Sequence, residues 1–146
     1  MFELANVARP GVSEYISGSG ALSALDNRLE GFKTPLIVTG EKSYAAFTKF
    51  YKGNREFRVA KYDGSASFED MQRIADEFGE GVDVVLGVGG GRVIDTAKGV
   101  AQNLNVEYMT VPTVIATCAP YAPVAAVYHP DHTFREVAYF KRTAYA

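Results

Sequence analysis

Three consecutive glycines, Gly89, Gly90 and Gly91, stand inside VVLGVGGGRVIDTAKGVA, Val84 to Ala101, with Arg92 directly after them. An apolar run precedes the glycines and a strongly periodic segment follows, so they fall between a buried strand and a helix. In open α/β sheets ligands bind beyond the carboxyl ends of the strands. Glycine tolerates positive φ and lets the backbone come close to a ligand. A helix N-terminus adds unpaired N–H groups and partial positive charge, which suit phosphate, and Arg92 adds a cation. Charge-assisted hydrogen bonds contribute about 1.5–3 kcal/mol each, so a few could hold a pyrophosphate. The spacing is not the G-x-G-x-x-G fingerprint, because its third glycine would fall on Arg92, and no Gly-Lys-Ser/Thr follows as in a Walker loop. A tight strand–helix turn that holds nothing is the competing reading.

Other reactive types are sparser. Asp95 and Lys98 lie three apart on one helix face, a spacing that suits an ion pair in helix packing at least as well as chemistry. His129 and His132 flank Pro130 and Asp131 in a turn-like HPDH, so they are expected to be exposed, and they are not expected to bind a metal, since two residues rarely make a site. Cys118 is the only cysteine, so no intrachain disulfide can form, which fits a cytoplasmic location.

The elements that would position these residues alternate. Leu36–Gly40 is a short apolar run, Ser43–Tyr51 has helical spacing, and Phe57–Tyr62 is a weaker strand signal. Ser67–Gly79 opens with a cap-type serine and Asp70 in the first turn, with Met71, Ile74, Ala75 and Phe78 on one face. Val82–Val88 predicts a strand buried on both faces. Val93, Ile94, Ala97, Val100, Ala101 and Leu104 predict a helix ending near Asn105, and Val106–Val111 another strand. Such alternation indicates an α/β fold, a Rossmann-like parallel sheet with helices on both faces. Val124–Tyr128 and Thr133–Tyr139 then predict a β-hairpin near the C-terminus.

The chain has 146 residues, the size of one domain or one half of something larger. A net charge of −2 gives no reason to expect nucleic acid or anionic membrane as a partner. The start lacks the basic and apolar regions of a secretory signal. Tyr108–Tyr128 carries no charge, but Pro112, Pro120 and Pro123 argue against a membrane-spanning helix and for a buried strand and loop.

GVGGGRVIDTAKGVA resembles the G-G-G-x-x-x-D-x-A-K signature of the iron-containing alcohol dehydrogenase and glycerol dehydrogenase superfamily. VPTVIATCAPYAPVAAVYHPD is similar to that family's second block, YISGSGALSAL to its opening segment, and LIVTGEKS to its first strand and turn. The resemblance covers nearly the whole chain. It implies that residues 1–146 are the NAD(P)-binding N-terminal domain of a two-domain dehydrogenase. The helical domain that supplies most ligands of the zinc or iron would be absent from this chain. It further implies hydride transfer between NAD(P) and an alcohol, polyol or 2-hydroxy acid, with little turnover by this chain alone.

By motif position, Gly89, Gly90, Gly91 and Arg92 would meet the pyrophosphate and Thr113 would lie near the cofactor. Ala116, Ala122, Val124 and Tyr128 would line the cleft. Cys118 stands where glycerol-oxidising members usually place an aspartate. It reads either as a substrate contact or as a buried small side chain, and A-T-C-A resembles a branch acting on 2-oxo and 2-hydroxy carboxylic acids. Gly40 stands where many NAD-preferring members have aspartate. Lys42 and Ser43 could accept a 2′-phosphate, which leans to NADP, while Glu41 argues the other way. Three readings are open: the cofactor half of an oxidoreductase, a non-catalytic nucleotide-binding module, and a structural or dimerising domain. A homo-oligomer is compatible with each.

Overall fold

The computed structural model describes residues 20–113, 124–139 and 143–145. A 3-10 turn, Ala21–Ala24, leads into a short helix α1, Leu25–Arg28, and then strand β1, Pro35–Thr39. The order continues α2 (Glu41–Phe50), β2 (Arg58–Lys61), α3 (Phe68–Phe78), β3 (Val84–Gly89), α4 (Gly91–Leu104), β4 (Glu107–Pro112), β5 (Val124–Tyr128), β6 (Phe134–Tyr139) and β7 (Thr143–Tyr145). Strands β2-β1-β3-β4-β7 form one sheet in that order, and every pairing in it is parallel. β5 and β6 pair antiparallel as a separate two-stranded ribbon.

The parallel sheet is buried on both faces because alternate side chains serve two cores. Leu36, Val38, Val85 and Tyr108 pack with Met71 and Ile74 of α3 and with Ala97, Val100 and Ala101 of α4. Ile37, Val84, Leu86, Val88 and Met109 pack on the other face with Leu25, Leu29 and Phe47. The ribbon joins the first core through Val127 and Ala138, so it lies on the α3/α4 side. Residues at two helix ends stop or start them as their types predict. Ser67 accepts a hydrogen bond from the Asp70 N–H at the start of α3. Asn105, at φ 57°, ends α4 in the left-handed conformation.

The expected elements are present with small shifts. The second helix starts at Glu41 rather than Ser43, and the weak strand is confined to Arg58–Lys61. β7, which no periodicity announces, returns to the sheet beside β4. Among the described residues no helix is long and apolar enough to cross a membrane.

Candidate functional site

The strand order places β1 and β3 side by side, while the helices that follow them lie on opposite faces: α2 packs in one core and α4 in the other. This is the switch point at which open α/β sheets carry their ligand crevice. Its rim is made by Thr39 and Gly40 after β1, by Gly89–Arg92 between β3 and α4, and by Thr113 after β4. The Thr39 hydroxyl donates to the Val88 carbonyl at 2.8 Å, and the Thr113 N–H donates to the Gly89 carbonyl at 3.0 Å. These bonds hold the three strand ends level.

The glycines divide the work differently from the sequence expectation. Gly89 alone of the three has a left-handed φ, 154°, and a Cβ there would stand 2.9 Å from Val93 Cβ. A Cβ on Gly87 would stand 2.8 Å from Ala97 Cβ. Both positions are therefore demanded by the packing of α4 onto β3. Gly90 is the helix N-cap with φ −90°, an extended conformation open to other residues, and Gly91 is the first residue of α4.

Arg92, the second residue of α4, reaches the ribbon and the loop before α3. Its guanidinium lies 3.9 Å from the centroid of the Tyr128 ring and donates to the Ser65 carbonyl at 3.5 Å. Among the described residues it pairs with no carboxylate. Tyr128 is half-buried, with Phe134 edge-on at 5.9 Å. The loop beneath is a closed polar network. Ser65 donates to Asp63 and Ser67, and the buried Asp70 carboxylate accepts from the Asp63 N–H and from Arg73.

Asp95 and Lys98 form a buried ion pair, Nζ to Oδ1 at 3.5 Å, with the Lys98 side chain fully enclosed. The other Asp95 oxygen accepts the Ala126 N–H of β5 at 3.1 Å. Burial pushes the Asp95 carboxyl up from its ordinary value, against the opposing pull of Lys98 and the Ala126 N–H. The i, i+3 spacing signalled the pair; nothing in the sequence signalled that it would reach across to the ribbon.

At the β1 end, Ser43 Oγ accepts the Gly40 N–H at 3.0 Å and lies 3.0 Å from Thr39 Oγ1, so its hydroxyl is engaged in starting α2. Lys42 is exposed beside it. Glu41 is paired with Lys61 at 3.0 Å. A Cβ on Gly40 would come 3.3 Å from Tyr62, so Tyr62 packing also favours glycine here. Ala116, Cys118 and Ala122 lie outside the described residues, and Val124 is described only as backbone. His129 and His132 are exposed in the turn between β5 and β6. Among the described residues no three His, Cys, Asp or Glu side chains are grouped to hold a metal ion. A separate cavity of about 590 Å³ lies between the 3-10 turn and the far end of α2, away from the glycine loop.

The family model for iron-containing alcohol dehydrogenase matches residues 12–146. The glycerol dehydrogenase of Thermotoga maritima is 31% identical over 138 residues, covering 88% of this chain and 36% of that enzyme. Hydroxycarboxylate dehydrogenase A of Escherichia coli is 43% identical over 68 residues, covering 47% of this chain and 19% of that enzyme. A crystal structure of a probable glycerol dehydrogenase from Sinorhizobium meliloti superposes with a TM-score of 0.80 at 25% identity, covering 94% of this chain and 40% of that one. The chain thus spans well under half the length of these relatives. With the family model matching nearly its whole length, and with the strand–glycine–helix loop at the switch point of a parallel sheet, the chain belongs to the iron-containing alcohol dehydrogenase family.

Proposed function

We propose that this chain is the dinucleotide-binding half of an NAD(P)-dependent oxidoreductase acting on a small alcohol, polyol or 2-hydroxy acid. The observation that carries the reading is the crevice between β1 and β3, where the first turn of α4 opens at Gly91 beside the Arg92 guanidinium. A pyrophosphate would meet the free N–H groups of that turn together with a cation that no described carboxylate neutralises. The dinucleotide supplies the hydride chemistry when bound. What these residues would do is hold it: Gly89–Arg92 at the pyrophosphate, Thr113 at the neighbouring strand end, and Tyr128 along the wall, with Ala116, Ala122 and Val124 as further lining positions.

A zinc or iron ion, which would polarise the substrate oxygen, would be held outside the described residues. Cys118 would face the substrate in place of the aspartate of glycerol-oxidising members, which favours a hydroxy acid over a polyol. The likeness to hydroxycarboxylate dehydrogenase A supports that preference. Gly40 and the exposed Lys42 favour NADP over NAD, with Ser43 shaping the helix start.

Calorimetric titration of the chain with NADH and with NADPH tests the reading. Saturable binding of either supports it, and a folded chain that binds neither sinks it.

A further inference from the structure

β5 lies against α4 by one edge, and that edge carries two outward N–H groups two residues apart. The Tyr128 N–H is taken by the Ala66 carbonyl at 3.0 Å, and the Ala126 N–H by the Asp95 carboxylate at 3.1 Å. An edge strand must satisfy such groups, ordinarily through a neighbouring strand. Here one partner is a loop carbonyl and the other is a side chain from a helix. A two-stranded ribbon has marginal stability by itself, so its placement depends on these ties and on Val127 and Ala138 in the core.

α4 and β5 meet at two points in opposite chain order: Asp95, three residues beyond Arg92, holds the Ala126 N–H, and Arg92 meets the ring of Tyr128, two residues beyond Ala126. One point of attachment at Ala66 would leave the strand free to pivot; the second, at Asp95, sets its direction. Lys98, buried on the same helix face, holds the Asp95 carboxylate from the other side.

We propose that Asp95 is a positioning residue: by holding the Ala126 N–H it fixes the direction of β5, and through β5 it keeps the Tyr128 ring over the Arg92 guanidinium at the mouth of the glycine loop. Its consequence for the cofactor rests on the dinucleotide reading above; the tie itself does not. The tie needs an acceptor oxygen, not a charge, so the two can be separated by substitution.

The experiment uses the whole chain in three forms: parent, Asp95→Asn with Lys98→Met, and Asp95→Ala with Lys98→Met. Both variants remove the buried ammonium together with the carboxylate, so they differ only in whether an acceptor oxygen is left for the Ala126 N–H. Hydrogen exchange of the Ala126 amide reads the tie. Ring-current shifts of the Arg92 side-chain protons, with Tyr128→Leu as the zero, read the stack. In the asparagine variant both should stay near the parent values. In the alanine variant the Ala126 amide should exchange at least tenfold faster and the Arg92 shifts should collapse toward the Tyr128→Leu values. NADH or NADPH affinity should fall about tenfold in the alanine variant and less than twofold in the asparagine variant. A folded alanine variant with unchanged exchange and shifts overturns the proposal, as does an asparagine variant that loses both as fully. If the tie and stack are lost but affinity is unchanged, positioning of the binding loop is refuted. If the parent binds neither dinucleotide, the cofactor reading fails, and the exchange and ring-current results still decide the tie.

Discussion

Gly89→Ala and Gly91→Val should fail in opposite ways. At Gly89 the backbone has φ 154°, and a new Cβ would stand 2.9–3.0 Å from Cβ and both methyl carbons of Val93. Holding an alanine in that conformation costs on the order of 1–3 kcal/mol. Overpacking against a branched residue of the adjoining helix adds about 1–3 kcal/mol. The joint loss, roughly 2–6 kcal/mol, is a large part of the stability of a domain, about 5–15 kcal/mol. At about 2–4 °C per kcal/mol it lowers the melting temperature by roughly 4–24 °C. Gly91, by contrast, is the first residue of α4 and has helical geometry. Valine there changes helix propensity by only a few tenths of a kcal/mol. Its branched side chain would occupy the space where phosphate oxygens approach the helix N-terminus, so dinucleotide affinity should fall at least tenfold, about 1.4 kcal/mol. Thermal unfolding and calorimetry on both variants separate the effects. A Gly89→Ala chain as stable as the parent would refute the crowding argument. A folded Gly91→Val chain that binds NADH or NADPH as tightly as the parent would refute the pyrophosphate assignment.

Lys42→Ala should weaken NADPH binding about three- to tenfold and leave NADH nearly unchanged, because only the 2′-phosphate gains a charge-assisted bond; equal losses for the two cofactors count against it. Ser43→Ala should act mainly on stability, by up to about 1 kcal/mol, since its hydroxyl already serves the Gly40 N–H; selectivity measurements in which it matches Lys42→Ala would contradict that. Ser67→Ala removes the cap that accepts the Asp70 N–H and a partner of the Ser65 hydroxyl, and urea unfolding should show a loss of about 1–2 kcal/mol. Because burial raises the Asp95 carboxyl, the native chain holds that proton more tightly than the unfolded chain. Its contribution to stability therefore falls as pH rises from the ordinary aspartate value, about 3.9, through the raised native value. The stability difference between parent and Asp95→Asn should change across that window; a difference that stays flat with pH contradicts the shift.

The parallel sheet was legible because its signal is local and repeated. Leu36–Thr39 and Val84–Val88 are apolar without alternation, as strands covered on both faces must be, and the helices between them carry one apolar stripe each. Ser67 and Asn105 marked their helix ends through side-chain and backbone chemistry that needs only adjacent residues. β7 was not legible: three residues are too few for a period, and what makes them a strand is the open edge of β4. The loop Asp63–Ser67 was silent for a similar reason. Its role depends on Ala66 at φ 53° offering a carbonyl to a strand more than fifty residues away, which no spacing within the loop announces.

The same limit explains why the G-G-G-x-x-x-D-x-A-K pattern invites a single functional reading and yields several physical ones. Gly89 and Ala97 are set by the closeness of β3 and α4, with Gly87 facing Ala97 across that contact. Gly91 and Arg92 lie at the crevice, where the half-buried start of α4 stands beside a cation that pairs with no carboxylate among the described residues. Asp95 and Lys98 are buried and engage the ribbon. A motif of ten residues thus joins three duties: seating a helix, opening it toward a ligand, and aiming a strand at that opening. They are coupled because α4 is one continuous helix, so an error in its seating at Gly89 or in its tie at Asp95 also displaces the N–H groups at Gly91. Substitutions at the packing positions should therefore weaken ligand binding indirectly, in proportion to how far they move α4. Within the motif, Gly91 and Arg92 should change affinity with the least movement of the unfolding curve.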